Sequence, residues 1–251
     1  NISVYKPIKF DVSIPREEYK ICLGDTVHLT TTVTQGSPYT FKWEGLAVGE
    51  FKTNKLSLTD IPLESGTVDY TITASDGVCP DEVVEFGTID VYEPPVIELE
   101  LSQAEVVIGG EVDMTAVIIK GSPTQFDWLS DGDVMTSTDE NFLGGVLPAS
   151  STKYTVFASD GVCPATNASF EVSVQIPTAI TPYVKDGMND YYMRGFDVVI
   201  FDRYGMKVFQ GSDGWDGSKG GRMADPGVYY CQVVLKDGKL HTGTIEVVKT
   251  E

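Results

Sequence analysis

Two histidines and a few acidic clusters are the residues of this chain that could do chemistry. His28 and His241 are the only histidines in the sequence, and they lie far apart, each inside an alternating strand pattern. A zinc site or an activated nucleophile needs histidine close to further ligands or to a nucleophilic side chain. The sequence also lacks a Gly-x-Ser-x-Gly elbow and a glycine-rich phosphate loop before a helix. We therefore predict a protein without enzymatic activity, catalytic residues or cofactors.

The acidic clusters could supply the oxygen ligands that calcium prefers. Neither cluster follows the twelve-residue EF-hand pattern. Because Asp and Asn readily cap the backbone in turns, and acidic loops are commonly solvated, we predict a structural turn and a solvated loop, with calcium as the alternative. One cluster contains Asp131, Asp133, Asp139 and Glu140, and the other contains Asp186, Asn189 and Asp190.

Composition indicates an exported β-protein. The 18 basic and 37 acidic residues give a net charge of −19, which opposes binding to nucleic acid and to anionic lipid surfaces. Gly and Pro are frequent, helical periodicity is absent, and no apolar run is long enough for a membrane span. The chain begins at Asn1 without a Met or an apolar leader, so we expect a processed or truncated form.

The elements that carry these residues include two copies of one module. Residues 74–80 read Ala-Ser-Asp-Gly-Val-Cys-Pro and return as residues 158–164, while Gly-Ser-Pro and Phe-x-Trp within 36–43 return within 121–128. Each copy has short alternating strands, regular turn residues and one Trp on a middle strand. This pattern predicts two antiparallel sandwiches of the Ig-like or PKD-like kind, which often serve as spacers.

Proline-containing junctions divide the chain into three parts. Glu93-Pro94-Pro95 separates the copies and Ile176-Pro177 follows the second copy. Proline makes such a junction short and stiff. We predict an all-β chain of three consecutive antiparallel β-sandwich domains in an elongated arrangement. The domains are repeat 1 (residues 1–94), repeat 2 (95–177) and a C-terminal module (178–251).

Four cysteines raise the question of disulfide bonds. Cys22 precedes an early strand of repeat 1 and Cys79 follows a late one, and packing of two sheets predicts that they meet and form a disulfide. Such a bond implies an oxidising compartment. Cys163 and Cys231 are left over, and pairing across domains, pairing between chains and the reduced state all remain open.

The C-terminal module contains two predicted hairpins. Residues 196–201 and 206–209 alternate on either side of Arg203-Tyr204-Gly205, and a later strand returns through a turn at Asp237-Gly238. Between the hairpins lies a glycine-rich loop with Trp215. An ordinary small sandwich would explain these strands without any special function.

The order of motifs in this module resembles the C-terminal domain of type IX secretion substrates in Bacteroidetes, in its type B, gliding-motility-associated form. The shared pieces are a Thr-Pro step, an Asp-Gly-x-Asn-Asp turn, an Arg-aromatic-Gly hairpin, a Trp-Asp-Gly loop, a Gly-x-Tyr strand and a Gly-Lys hairpin. The residues that carry them are Thr181, Pro182, Asp186, Gly187, Asn189, Asp190, Arg203, Gly205, Trp215, Asp216, Gly217, Gly227, Tyr229, Gly238, Lys239 and Gly243.

The resemblance implies a secretion and docking signal that is read by the type IX machinery and docks on a PorP/SprF-like outer-membrane protein. The protein would pass through the periplasm to the cell surface or the exterior of the outer membrane. The docking surface is predicted at the Asp186–Asp190 turn or the terminal strand, 244–249. A chain of this size could be a PorA-like component of, or signal to, the machinery.

Two other interpretations remain open. The chain could be the C-terminal part of a larger adhesin, or a glycan-binding surface protein in which Trp43 or Trp128 contacts sugars.

Overall fold

The computed structural model describes residues 4–47 and 49–249, and nearly all of its regular structure is β-strand. These residues form 23 strands and one short 3-10 helix, Arg16–Tyr19. No helix in this part of the chain is long and apolar enough to cross a membrane. The predicted all-β fold is confirmed. The predicted domain boundaries stay predictions, and their outermost residues, 1–3 and 250–251, lie outside the described part.

Repeat 1 is a sandwich of a three-stranded and a five-stranded sheet. The sheet orders are β1-β3-β6 and β2-β8-β7-β4-β5. This is the layout of an Ig-like domain with a divided first strand. The strands are β1 (Lys9–Ser13), β2 (Lys20–Cys22), β3 (Val27–Gln35), β4 (Thr40–Glu44), β5 (Phe51–Thr53), β6 (Ser57–Asp60), β7 (Gly66–Ser75) and β8 (Glu82–Tyr92).

Repeat 2 has the same layout strand for strand, as the internal repeat predicts. Its strands are β9 (Val96–Leu101), β10 (Glu105–Val107), β11 (Val112–Lys120), β12 (Gln125–Ser130), β13 (Asp133–Thr138), β14 (Phe142–Val146), β15 (Thr152–Ser159) and β16 (Thr166–Gln175). The sheet orders are β9-β11-β14 and β10-β16-β15-β12-β13.

The C-terminal module has one five-stranded sheet, ordered β17-β23-β22-β18-β19, and a two-stranded ribbon, β20-β21. The hairpins at Arg203-Tyr204-Gly205 and Asp237-Gly238 form as predicted. The strands are β17 (Ala179–Ile180), β18 (Asp197–Phe201), β19 (Lys207–Gly211), β20 (Ser218–Lys219), β21 (Arg222–Met223), β22 (Gly227–Val234) and β23 (Leu240–Val247).

All three parts share a short strand that runs parallel to their own last strand. β2 pairs with β8, β10 with β16, and β17 with β23. The remaining strand pairs are antiparallel, so each five-stranded sheet contains one parallel pair. These strands are two or three residues long, too short to show a period of two in the sequence.

Each part also has its own buried core with one Trp near its centre. The three clusters of buried apolar residues lie within 8–91, 97–172 and 180–247. Trp43, Trp128 and Trp215 are all fully buried or nearly so. The alternating patterns of β4 and β12 place Trp43 and Trp128 inward, whereas Trp215 lies between β19 and β20.

The disulfide predicted within repeat 1 is wrong, because Cys22 pairs with Cys163 of repeat 2. Cys22 lies beside Tyr92 at the end of β8, whereas Cys79 precedes the start of β8. A strand of eleven residues therefore separates Cys22 from Cys79 by about 35 Å. Cys79 and Cys231 are free thiols. The observed bond indicates folding in an oxidising compartment, which is typical of exported proteins.

Candidate functional site

Trp215 organises the C-terminal module. Its ring is fully buried and lies 5.1 Å, centroid to centroid, from the ring of Tyr229. The indole Nε1 donates a hydrogen bond to the carbonyl of Ser218 at 2.8 Å, so the buried donor is satisfied. The backbone of Trp215 also exchanges hydrogen bonds with Tyr192. The motif Trp is therefore a core residue that anchors its loop.

Gly217 brings the Trp-Asp-Gly loop against the Thr-Pro step. Its φ is +73°, and a Cβ placed there would lie 2.5 Å from Cγ of Pro182. Only glycine combines this left-handed backbone with such a close approach. The Thr-Pro step also contacts the Asp186–Asp190 turn, because the N–H of Thr181 donates a hydrogen bond to the carbonyl of Asn189 at 2.9 Å. The Thr-Pro step and the Trp-Asp-Gly loop thus meet although they are distant in sequence.

The Asp186–Asp190 turn is held by its own carboxylates. Asp186 Oδ1 accepts a hydrogen bond from the N–H of Met188 at 2.9 Å, and Asp190 Oδ2 accepts one from Gly187 at 3.0 Å. Asn189 has a φ of +54°, which Asn tolerates better than most residues. These contacts are those of a structural turn, as the sequence predicts.

Asp202, which is not one of the shared motif residues, fixes the next hairpin. Its Oδ1 accepts hydrogen bonds from the backbone N–H groups of Tyr204 and Met206 at 2.9 and 3.0 Å, and its Oδ2 lies 2.7 Å from Nζ of Lys219. The lysine hydrogen bond, supported by the two N–H groups, lowers the pKa of Asp202 below its ordinary value. The same pairing raises the pKa of Lys219. An Asp directly before a turn is the sequence signal that could identify it.

The remaining motif glycines serve turns and packing. Gly205 and Gly238 have positive φ at their hairpin turns, and Gly227 has a φ of +136° at the start of β22. Gly243 pairs across the sheet with Cys231, and a Cβ at Gly243 would lie 3.0 Å from Nε2 of His241.

Two polar motif residues occupy turns as well. Asp216 Oδ1 accepts a hydrogen bond from the N–H of Ser218 at 3.0 Å. Lys239 is exposed, and its Nζ lies 3.0 Å from Asp237.

The Arg203-Tyr204-Gly205 turn and the Thr181-Pro182 step follow strand ends on one side of the five-stranded sheet, where Phe201 pairs with Tyr230 and Ile180 with Val247. The Asp237-Gly238 turn is at the opposite end, where the Ser150 hydroxyl of repeat 2 donates a 3.3 Å hydrogen bond to Asp237. We call the end away from this contact the distal turn surface, defined by Met188, Arg203, Tyr204 and Met206. These four side chains are exposed, and Tyr204 is 79% exposed. The guanidinium of Arg203 lies 5.5 Å from the Tyr204 ring centroid. The exposed Tyr204 ring therefore lies beside a cation.

The terminal strand, one of the two predicted docking surfaces, is paired on both sides near its end. At Glu246 and Val247, β23 pairs with β17 on one side and with β22 on the other. Within the described residues, β19 pairs with β18 alone and is the edge strand at the opposite side of the sheet.

Charge separates the C-terminal module from the two repeats. Residues 178–251 contain 9 basic and 10 acidic residues, a net charge of −1, so residues 1–177 carry −18 of the total −19. The C-terminal module can thus approach a surface that would repel the repeats electrostatically.

The repeats contain no comparable site in the described part of the chain. Trp43 and Trp128 are at most 1% exposed, so neither ring is available to contact a sugar at the surface. No group of three or more Asp, Glu, His or Cys side chains among the described residues is arranged to hold a metal ion. The Asp131 carboxylate binds the backbone instead, because its Oδ1 accepts a hydrogen bond from the N–H of Lys153 at 3.0 Å.

The two histidines lie on strands, as predicted. His28 is on β3, with its Nδ1 2.7 Å from Glu18 Oε1, and His241 is on β23.

No protein-family model matches the chain, and no curated protein matches it. Solved structures with a similar shape include Sidekick-1 immunoglobulin domains 1–5, at 14% identity and a TM-score of 0.46, covering 98% of this chain and 60% of that one. DIP-gamma IG1+IG2 matches at 17% identity and a TM-score of 0.43, over 68% of this chain and 98% of that one. Murine CEACAM1b matches at 13% identity and a TM-score of 0.43, over 66% of this chain and 100% of that one. The Ig-like assignment rests on the strand order described above.

Proposed function

We propose that residues 178–251 are the export and docking module of a non-enzymatic cell-surface protein, and that the type IX secretion machinery reads this module. We infer the type IX machinery, and a PorP/SprF-like outer-membrane protein as the docking partner, from the resemblance of the motifs to type B secretion domains. Repeats 1 and 2 act as the spacer that the module delivers. The protein crosses the periplasm and remains at the outside of the outer membrane.

The observation that carries this proposal is the convergence of the motifs on one core. Trp215, Gly217 and Pro182 pack together, and the turn that ends at Asp190 is hydrogen-bonded to the same region. Among the residues that the structure describes, two from upstream, Ile108 and Ile176, join the partly buried shell of this core. A motif set that builds one nearly self-contained unit suits a module that different proteins carry as a common address.

The distal turn surface is the part of the module that we assign to docking. Most motif residues are committed to the core or to turn geometry, which leaves few of them to meet a partner. Tyr204 and Met188 are 79% and 68% exposed at the tips of the turns. Exposed aromatic and methionine side chains beside an Arg are enriched at the centres of protein interfaces. The near-zero charge of the module adds little repulsion to such a contact.

Deletion and fractionation test the address function. A chain that lacks residues 178–251 should accumulate in the periplasm of the native host, whereas the full chain should reach the cell surface. Unchanged surface location of the truncated chain would refute the proposal. The periplasmic fraction should be checked for the intact disulfide of the two repeats, so that retention is distinguished from misfolding.

A matched pair of point variants tests the docking surface. Tyr204→Ser and Leu240→Ser each remove an exposed apolar side chain, at 79% and 60% exposure, from opposite ends of the same sheet. Surface substitutions of this kind change stability little. Tyr204→Ser should reduce surface display and binding to the outer-membrane partner, while Leu240→Ser should leave both unchanged. Equal behaviour of the two variants would remove the distal turn surface as the docking site.

A further inference from the structure

At the junction between the two repeats, repeat 2 contacts the end of the preceding repeat through Cys163 and Gly121. We call this contact surface the seat. Cys163 lies on the turn between the last two strands of repeat 2, and it forms the disulfide with Cys22 of repeat 1. Its sulfur is 3.5 Å from the carbonyl oxygen of Tyr92, the residue that pairs with Cys22 across the parallel strands. A Cβ on Gly121 would lie 2.7 Å from the carbonyl of Glu93, so the linker passes directly over this glycine. One cysteine and one glycine therefore hold the end of the preceding repeat.

Repeat 1 has the same seat at its own outer end. Cys79 is the repeat equivalent of Cys163, and its sulfur is 3.7 Å from the carbonyl oxygen of Lys6. A Cβ on Gly36, the equivalent of Gly121, would lie 3.1 Å from the carbonyl of Pro7. The seat is thus occupied by residues 4–8 in the way that the linker occupies the seat of repeat 2.

The turns that present the two cysteines have matching hydrogen bonds. The N–H of Cys79 donates to Asp76 Oδ1 at 2.8 Å, and that of Cys163 donates to Asp160 Oδ1 at 2.7 Å. The glycine after each Asp, Gly77 or Gly161, has a positive φ. Its N–H donates a hydrogen bond to the hydroxyl oxygen of the serine before the Asp, Ser75 or Ser159. Cys79 is therefore held in the orientation in which its copy forms a disulfide.

The segment on the seat of repeat 1 has the sequence of a last strand. Residues 2–7 read Ile-Ser-Val-Tyr-Lys-Pro, and residues 89–94, where β8 ends and the linker begins, read Ile-Asp-Val-Tyr-Glu-Pro. The matching valines differ in environment, because Val91 is 4% exposed in the core of repeat 1 whereas Val4 is 88% exposed. A side chain that belongs to a core in one copy thus lacks a core in the other. Tyr5, beside it, is 56% exposed.

We infer that Cys79 is one half of a second inter-repeat disulfide, whose other half is a cysteine at the Cys22 position of a further Ig-like repeat. That repeat lies upstream of repeat 1, and Val4 and Tyr5 belong to the end of its last strand. Its core covers Val4, and its short parallel strand places its cysteine beside Tyr5, the equivalent of Tyr92, as β2 places Cys22 beside Tyr92. The inference does not depend on the secretion function of residues 178–251.

The bond forms by ordinary thiol oxidation. The two thiols lose two protons and two electrons as the Sγ–Sγ bond forms, and a disulfide oxidant such as oxidised glutathione accepts them and becomes two thiols. Burial beside Asp76 raises the pKa of the Cys79 thiol. Proximity in the docked repeat, rather than intrinsic acidity, therefore drives the pairing.

A tandem chain tests the inference directly. Residues 1–88 are placed before residues 2–251, so that residues 2–7 continue the last strand of the added repeat, and the Cys79 copy in the added repeat is changed to Ser. After refolding in a glutathione redox buffer, free thiols are alkylated and disulfide-linked peptides are identified by mass spectrometry. We expect the Cys22 copy of the added repeat to be linked to Cys79, and the Val4 amide to become protected from hydrogen exchange.

The same molecules contain their own control for folding. The native Cys22–Cys163 linkage must be present in the tandem chain, and a tandem variant with Cys79→Ser should have one additional alkylated thiol in the added repeat. Alkylated Cys79 in tandem molecules that have the native linkage would overturn the inference. Quantitative Cys79-to-Cys79 dimers of the 251-residue chain under the same conditions would also overturn it, in favour of a second copy as the partner.

A second measurement needs no designed chain. Protein from its native host is alkylated at lysis and mapped by mass spectrometry without reduction. Linkage of Cys79 to a cysteine in a peptide of an Ig-like repeat agrees with the inference. Alkylated Cys79 in the mature protein contradicts it.

Discussion

Replacing Gly217 by Ala should destabilise the C-terminal module more than the same change at Gly238. Both glycines have left-handed backbones, with φ of +73° and +80°, so alanine costs about 1–2 kcal/mol at either position. At Gly217 the added Cβ would also lie 2.5 Å from Cγ of Pro182, whereas no heavy atom lies within 4 Å at Gly238. Overpacking of this kind costs about 1–3 kcal/mol more. We therefore expect totals of about 2–5 and about 1–2 kcal/mol.

Hydrogen exchange on the full chain measures this difference inside the module. The slowest amides of β22 and β23 report the free energy of unfolding of the C-terminal sheet, and those of β7 and β15 report the two repeats as internal references. Both variants should leave the reference amides unchanged. Equal destabilisation by the two substitutions would refute the packing argument, because only Gly217 has a neighbour to displace. Under the proposed function, Gly217→Ala should also lower surface display more than Gly238→Ala.

Three further substitutions have definite expected outcomes. Cys163→Ser should leave Cys22 free to react with alkylating reagents and should lower the stability of the joined repeats by about 2–5 kcal/mol in denaturant unfolding; an unchanged midpoint would contradict a stabilising role. Tyr70→Phe removes a buried hydroxyl that donates to Asp60 at 2.7 Å, and should cost about 1–3 kcal/mol by hydrogen exchange in repeat 1. Asp202 has a lowered pKa in the folded state, so its stabilisation is present above its unfolded pKa and is lost as pH falls through the folded value; Asp202→Asn should flatten this acid-side loss, measured as unfolding free energy against pH.

Local patterns predict much of this fold because each depends on neighbouring residues. The alternation around Trp43 and Trp128 predicts inward-facing rings on middle strands, and both are buried. Asp237-Gly238 predicts a two-residue turn because glycine accepts positive φ, and its φ is +80°. The internal repeat predicts that both copies share one layout, which the strand orders confirm.

Features that depend on distant partners are where the sequence misleads. Cys79 and Cys22 lie in one repeat, but they are at opposite ends of β8, and the pairing partner is set by how two repeats join. A two-residue parallel strand covers the terminal strand at Glu246 and Val247, and it is too short to be recognised in the sequence. Asp202 becomes a hairpin anchor through Lys219, seventeen residues away. None of these contacts leaves a periodic signal.

The disulfide between the repeats also determines how this chain responds to mechanical tension. Cys22 and Cys163 are separated by 141 residues, which include most of both sandwiches. When the ends of the chain are pulled, the covalent link transmits the force directly between these two residues, and the enclosed segment stays slack. Unfolding cannot then release about 480 Å of extended chain from that segment. A tether built in this way holds the C-terminal module at a nearly constant distance from whatever anchors its other end.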